Sequence, residues 1–232
     1  MIDFECRIRR SPRRRTLSIC VYPDNTVVVA APEKLSQKEI MSFVERKADW
    51  VRKRMQINLE KQEDKPQRRY VTGEKLLCQG KEYTLVVEEG RPVGVARNED
   101  DISVRILPGT PAELRGQMVR RQLMLWYARL AAKKIEERVR HYAGLIGVWP
   151  RSVKLKSLRS RWGSCSTRGG INFAWNIIMA GEPILDYLVV HELCHLVHHN
   201  HSPEYWKLVA SYVPDHLIMR KWLRENGQNL IL

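Results

Sequence analysis

Residues 190–206 read VHELCHLVHHNHSPEYW, which gathers five of the chain's seven histidines, at 191, 195, 198, 199 and 201, into eleven positions. His191-Glu192-Leu193-Cys194-His195 has the form H-E-x-x-H. It follows an apolar run through Ile184, Leu185, Leu188, Val189 and Val190 that opens at Pro183, so a helix is predicted. Four residues along a helix turn about 400°, so both imidazoles leave one face a turn apart and can share one zinc ion. Glu192 then sits beside the metal rather than on it, where it can take a proton from water that the metal acidifies.

A catalytic zinc takes three protein ligands and keeps one position open. His198 shares the ligand face but lies about 10 Å further along a continuing helix, and His199 is equally distant. Asn200 and Ser202-Pro203 instead predict a helix stop at 199–200, after which the chain folds back and brings His201 to the metal. The pattern becomes H-E-x-x-H-x5-H, with Glu204 or Glu225 as acidic alternatives for the third ligand. His198 and His199 are expected on the last helical turn, where positive charge suits the C-terminus; a substrate contact by His198 is the alternative. Cys194 faces away from the ligands and is expected in the core. His141 and His216 have no partner at ligand spacing and are expected to be structural.

The rest of the composition limits the setting. The five cysteines, at 6, 20, 78, 165 and 194, show neither a disulfide framework nor a Cys-x-x-Cys clip, so thiols packed in a reducing, cytoplasmic protein are expected. No apolar stretch approaches the roughly 20 residues needed to span a bilayer, so no membrane partner is expected. The net charge of +14 is uneven: residues 111–180 carry +11, whereas the histidine-bearing segment 181–232 carries −2. A basic surface of this kind is either simply well solvated or attracts an anionic partner such as nucleic acid or a nucleotide.

Along the chain, 15–22 and 26–32 are β-rich runs around Pro23-Asp24-Asn25 and predict a hairpin. Ser36 opens one helix to about Gln62, and EDKPQRR reads as a linker. Short strands fill 70–107. Thr110-Pro111-Ala112-Glu113 offers a capping hydroxyl, a first-turn proline and a glutamate for a long helix ending near Gly144. Strands are predicted at 153–158 and 169–179, and a last helix runs from Pro214-Asp215 to about Asn226. The expected class is α+β: a small β-rich region with one helix over 1–109, then a hydrolase domain over 110–232.

HELCHLVHHNHSPEYW, with RSRWGSCSTRGGINFAWN (159–176) ahead of it, resembles the YgjP-like family of metal-dependent hydrolases, zincin-fold proteins related to SprT-type proteases. The family's pattern H-E-L-x-H-x4-N-H-S-x2-F/Y-W is matched at His191, Glu192, Leu193, His195, Asn200, His201, Ser202, Tyr205 and Trp206. RIRRSPRRRTLSICVYPDNTVVVAAP, FVERKADWVRKR, GKEYTLVV and VPDHLIMRKWL extend the likeness over nearly the whole chain.

The resemblance implies three histidine ligands, a glutamate base, and the RSRWGSC segment lying against the active site. There an edge strand would receive an extended peptide, or Arg161 and Ser164 would hold a carboxylate or phosphate. Arg159, Trp162 and Ser164 would otherwise only stabilise the turn. Trp175, Tyr205 and Trp206 are expected as core aromatics, although a tyrosine near zinc can stabilise an oxyanion. A zinc peptidase is the leading functional expectation. A nucleotide pyrophosphatase acting on UTP, an activity also attributed to the family, is second. A nucleic-acid-associated protein with secondary or DNA-linked proteolysis is third.

Overall fold

The computed structural model describes residues 2–22, 24–63, 68–158 and 161–232; Pro23, part of EDKPQRR and Arg159-Ser160 lie outside the described residues. The chain is α+β and forms two compact units, Met1–Gln67 and Arg68–Leu232.

In the first unit, β1 (Cys6–Ser11), β2 (Ser18–Val21) and β3 (Val27–Pro32) form a sheet in the order β1-β3-β2. β2 and β3 are the expected hairpin, in register Ile19↔Val29, while β1 adds a parallel edge. The turn closes through Asn25 at φ 60, and the buried Asn58 donates to Tyr22 O at 2.7 Å and to Asn25 Oδ1 at 3.0 Å. Ser36 starts α1 (Gln37–Arg46) with a capping box closed by Glu39. The single helix expected here is two: the chain leaves helical geometry at Lys47 (φ −105, ψ 2), and α2 resumes over Ala48–Glu63. Ile40 and Val44 pack beneath Val29 and Ala31, and Val51 against Val21 and Val27.

The second unit begins with β4 (Lys75–Cys78), β5 (Lys81–Glu89), β6 (Gly94–Arg97) and β7 (Asp101–Ile106), ordered β4-β5-β7-β6. Their inward residues Leu76, Cys78, Leu85, Ile102, Val104 and Ile106 share one core with the long helix α3 (Ala112–Ile146). For this reason compact packing divides the chain in the polar stretch after α2, whereas the sequence reading divides it at 109/110. Along α3 the buried residues are Val119, Leu123, Tyr127, Ala131, Ile135, Val139 and Ala143, a strict four-residue stripe. Tyr127 donates its hydroxyl to Leu77 O at 2.9 Å, fastening helix to sheet.

Two helix ends differ from expectation. The Thr110 hydroxyl does not cap α3; it donates back to Leu107 O at 2.6 Å, and Pro111 occupies the cap position. The stop comes at Gly147, left-handed at φ 77, rather than at Gly144, because Gly147 N–H and Val148 N–H both close on Ala143 O.

β8 (Ser152–Lys156), β9 (Gly163–Cys165) and β10 (Gly170–Ala174) form a third sheet, ordered β8-β10-β9. The strand expected over 169–179 ends at Ala174, and Trp175–Met179 winds into a 3-10 turn whose Ile177, Ile178 and Met179 are buried. Then come α4 (Glu182–Cys194), α5 (Pro203–Tyr212) and α6 (His216–Asn226). α4 is apolar on nearly every side, with Ile184, Leu185, Leu188, Val189, Val190 and Leu193 all buried, as a helix in the centre of a core must be. A fork of Arg138 to Asp186 at 2.6 and 2.7 Å, joined by the Tyr142 hydroxyl at 3.0 Å, ties it to α3. At its start, Gln79 N–H and Gly80 N–H donate to Ile178 O and Met179 O at 2.9 and 3.0 Å. No helix among the described residues is long and apolar enough to cross a membrane.

Candidate active site

α4 carries His191 and Glu192 in its last turn and His195 at its C-cap. The helix ends at Cys194, earlier than the stop expected at 199–200. Leu196 N–H turns back to Leu193 O at 2.9 Å, and Val197 and His198 N–H both reach Cys194 O, at 3.1 and 2.9 Å. The His195 Nδ1 contact with His198 O at 3.1 Å holds this tight turn, a side-chain bond that helix-stop residues do not announce. His198 and His199 therefore lie beyond the helix rather than on its last turn. Ser202 caps α5 by accepting from Tyr205 N–H at 3.3 Å, and His201 lies just before that cap.

These turns bring three imidazoles together. Ligand nitrogens of His191, His195 and His201 all lie within 4.8 Å of one another. His191 Nε2 and His201 Nε2 are 3.4 Å apart. Nitrogens bound tetrahedrally at the usual zinc distance of about 2.0–2.1 Å would be about 3.4 Å apart, so this pair already has the separation that a shared ion requires. The contact of His195 Nδ1 with a carbonyl assigns that nitrogen the proton and leaves the Nε2 lone pair free to bind a metal. Burial, then the neighbouring His195 and His201, pushes His191 down to about 3, and burial also lowers His195. Both rings are thus held in the neutral form that binds metal. Glu204 and Glu225 are not part of the cluster.

Aromatic rings fix the imidazoles. Tyr205 is fully buried, stacks on His195 at 4.6 Å and donates its hydroxyl to His191 O at 2.9 Å. That hydroxyl is committed to backbone. Trp206 stacks on His201 (5.5 Å) and on His216 (5.6 Å), and the Arg220 guanidinium lies 5.1 Å from the centre of its ring. His216, expected to be structural, thereby supports the ring that stacks on His201. Cys194 is in the core, its thiol pushed up to about 12 by burial.

Glu192 is 3% exposed, and its Oε2 is buried without a hydrogen-bond partner among the described residues. Burial pushes its carboxyl up to about 8, with Arg161 pulling the other way. Gly163 of β9 lies against it, so that a β-carbon there would meet Glu192 Cδ at 2.7 Å and Cγ at 2.8 Å. Among the described residues β9 is an edge strand, paired only with β10, in register Ser164↔Asn172. The Ser164 hydroxyl accepts from Asn172 Nδ2 at 3.2 Å, within the sheet. Arg161 opens instead onto a pocket of about 300 Å³ that includes His191 and Glu192. Arg220 and Arg224 of α6 line the same pocket. The sequence reading missed both; their spacing of four marks one helix face, but nothing local says what that face meets.

No curated protein matches the chain. Among solved structures, it is similar to the metallopeptidase zymogen of Pyrococcus abyssi abylysin, at 22% identity over 38% of this chain and 93% of that one, with a TM-score of 0.33. The model of the YgjP-like metallopeptidase domain matches residues 15–226, a span that takes in the histidine cluster and the β9 strand and reaches into both compact units, and the chain belongs to the YgjP-like family of metal-dependent peptidases.

Proposed function

We propose that the protein is a zinc peptidase in which His191, His195 and His201 hold the metal and Glu192 is the general base. The observation that carries this reading is the convergence of three imidazoles beside one buried carboxyl whose Oε2 has no hydrogen-bond partner among the described residues. A zinc ion on those nitrogens would supply Lewis acidity, acidifying water and polarising an amide carbonyl. Glu192 takes the proton of the attacking water and returns it to the leaving nitrogen, as its position beside His191 and in a shielded pocket suits it to do. Burial makes that carboxylate a stronger base than a solvated one. The free edge of β9, next to Glu192, supplies backbone groups to which an extended peptide can add as a strand.

The test compares zinc-loaded wild type with Glu192→Gln, each given an unfolded protein and a mixture of nucleoside triphosphates, with products read by mass spectrometry. Peptide fragments that disappear in the variant are expected. Diphosphate or monophosphate products that disappear instead would install a nucleotide phosphohydrolase. Absence of both would leave binding, including nucleic-acid binding, as the role.

A further inference from the structure

The pocket beside the histidine triad is chemically one-sided. Among the described residues its walls include Trp162, Tyr187, Leu188 and Leu223, and three arginines open onto it, Arg161 just before β9 and Arg220 and Arg224 on α6. Glu192 is its only acidic lining residue among the described residues. Arg220 and Arg224 stand one turn apart on α6 and so share a face. Their own commitments are light. Arg220 lies over the Trp206 ring, and Arg224 reaches Glu225 at 3.7 Å on the open surface. Arg161 has Glu192 as its nearby opposite charge. General basicity does not account for this convergence, because residues 181–232, which supply two of the three, are net negative at −2.

We propose that this pocket is a specificity subsite for a carboxylate on the peptide residue next to the scissile bond, with its apolar walls taking the stem and Arg161, Arg220 and Arg224 taking the charge. The proposal rests on the peptidase reading for its substrate but not for its recognition chemistry. Guanidinium forks pair with carboxylate oxygens through two parallel N–H bonds, and a mostly apolar pocket with a few convergent polar groups is the usual form of a selective site. Because the pocket includes His191 and Glu192, whatever it holds is adjacent to the reacting carbonyl. The carboxylate comes either from an acidic side chain or from the free C-terminus of the peptide.

Binding to zinc-loaded Glu192→Gln, which does not turn over on the proposed mechanism, separates these sources. A fluorescent octapeptide is scanned with a single Glu or Gln at each position, with free and with amidated C-termini, and anisotropy is read. The Glu peptide at one position, or the free-acid form, is expected to bind about tenfold more tightly than its neutral counterpart. Arg161→Gln and Arg224→Gln, each made in that background, should reduce the preference to about threefold or less, and Arg224→Glu should turn it toward Lys peptides. Bound zinc per chain confirms that each variant is folded around its site.

Equal binding of all peptides overturns the proposal, as does arginine-dependent binding of nucleoside triphosphates without any peptide preference. Cleavage of peptides by wild type without carboxylate preference would remove the subsite and leave the peptidase standing. An arginine-dependent preference without cleavage by wild type would do the reverse.

Discussion

Gly163 and Glu192 touch so closely that no other residue fits at 163 without moving the carboxyl: a β-carbon there would run into Glu192 Oε1 and lie 2.8 Å from its Cγ. The strand that borders the site and Glu192 on the core helix are thus fitted to each other. Gly163→Ala should displace Glu192 while leaving the three imidazoles alone. The expected result is a fall of about a hundredfold in kcat/KM on an unfolded protein, with one zinc still bound per chain. Full activity would show that the carboxyl yields without consequence, and loss of zinc would show that the strand also supports the ligands.

The Tyr205 hydroxyl bonds to His191 O inside the core. Tyr205→Phe keeps the ring stacked on His195 and removes only that donor. Zinc affinity, measured by competition with a chromogenic chelator, is expected to fall about tenfold or more, since partners that orient a ligand carry effects of that size. An unchanged affinity would mean that the stack alone fixes the ring.

Burial holds the Glu192 carboxyl at about 8 in the metal-free protein, above its ordinary 4.5. A raised folded-state value means that the native chain binds this proton more tightly than the unfolded chain. The contribution is complete below pH about 4.5 and is lost as pH rises through about 8. Metal-free wild type should therefore lose thermal stability relative to metal-free Glu192→Gln between those limits. Parallel stability curves across that range would contradict the assignment.

How much of this was legible in the sequence differs by element. His191, Glu192 and His195 could be read because helical periodicity converts spacing into direction, and Ser202-Pro203 announced that the chain would turn. The place of the turn could not be read, because it is held by a local contact of the His195 ring with His198 O, and sequence patterns treat that ring as a ligand only. Arg220 and Arg224 were invisible as pocket residues for a related reason: the packing of α6 near α4 depends on the whole core. The single helix expected across 36–62 failed at Lys47, where no proline or glycine marks the break.

Gly80 adopts φ +81, and a β-carbon on it would stand 2.9 Å from Gly181 Cα, just before α4. Gly80→Ala meets backbone rather than a side chain that can swing away. It is expected to destabilise the protein by about 2–4 kcal/mol, read by urea denaturation. A loss below about 1 kcal/mol would show that the sheet and the start of α4 can separate cheaply.

The early end of α4 has one more effect. A helix that stops leaves its last carbonyls without partners, and here the carbonyl of His191 is taken by Tyr205, four residues past His201. The bond that finishes the helix therefore also anchors the loop bearing the third imidazole. Secondary structure and ligand geometry share a single fastening, so a lineage of sequences could not lengthen the helix by even one turn and keep the triad; the two must change together or not at all.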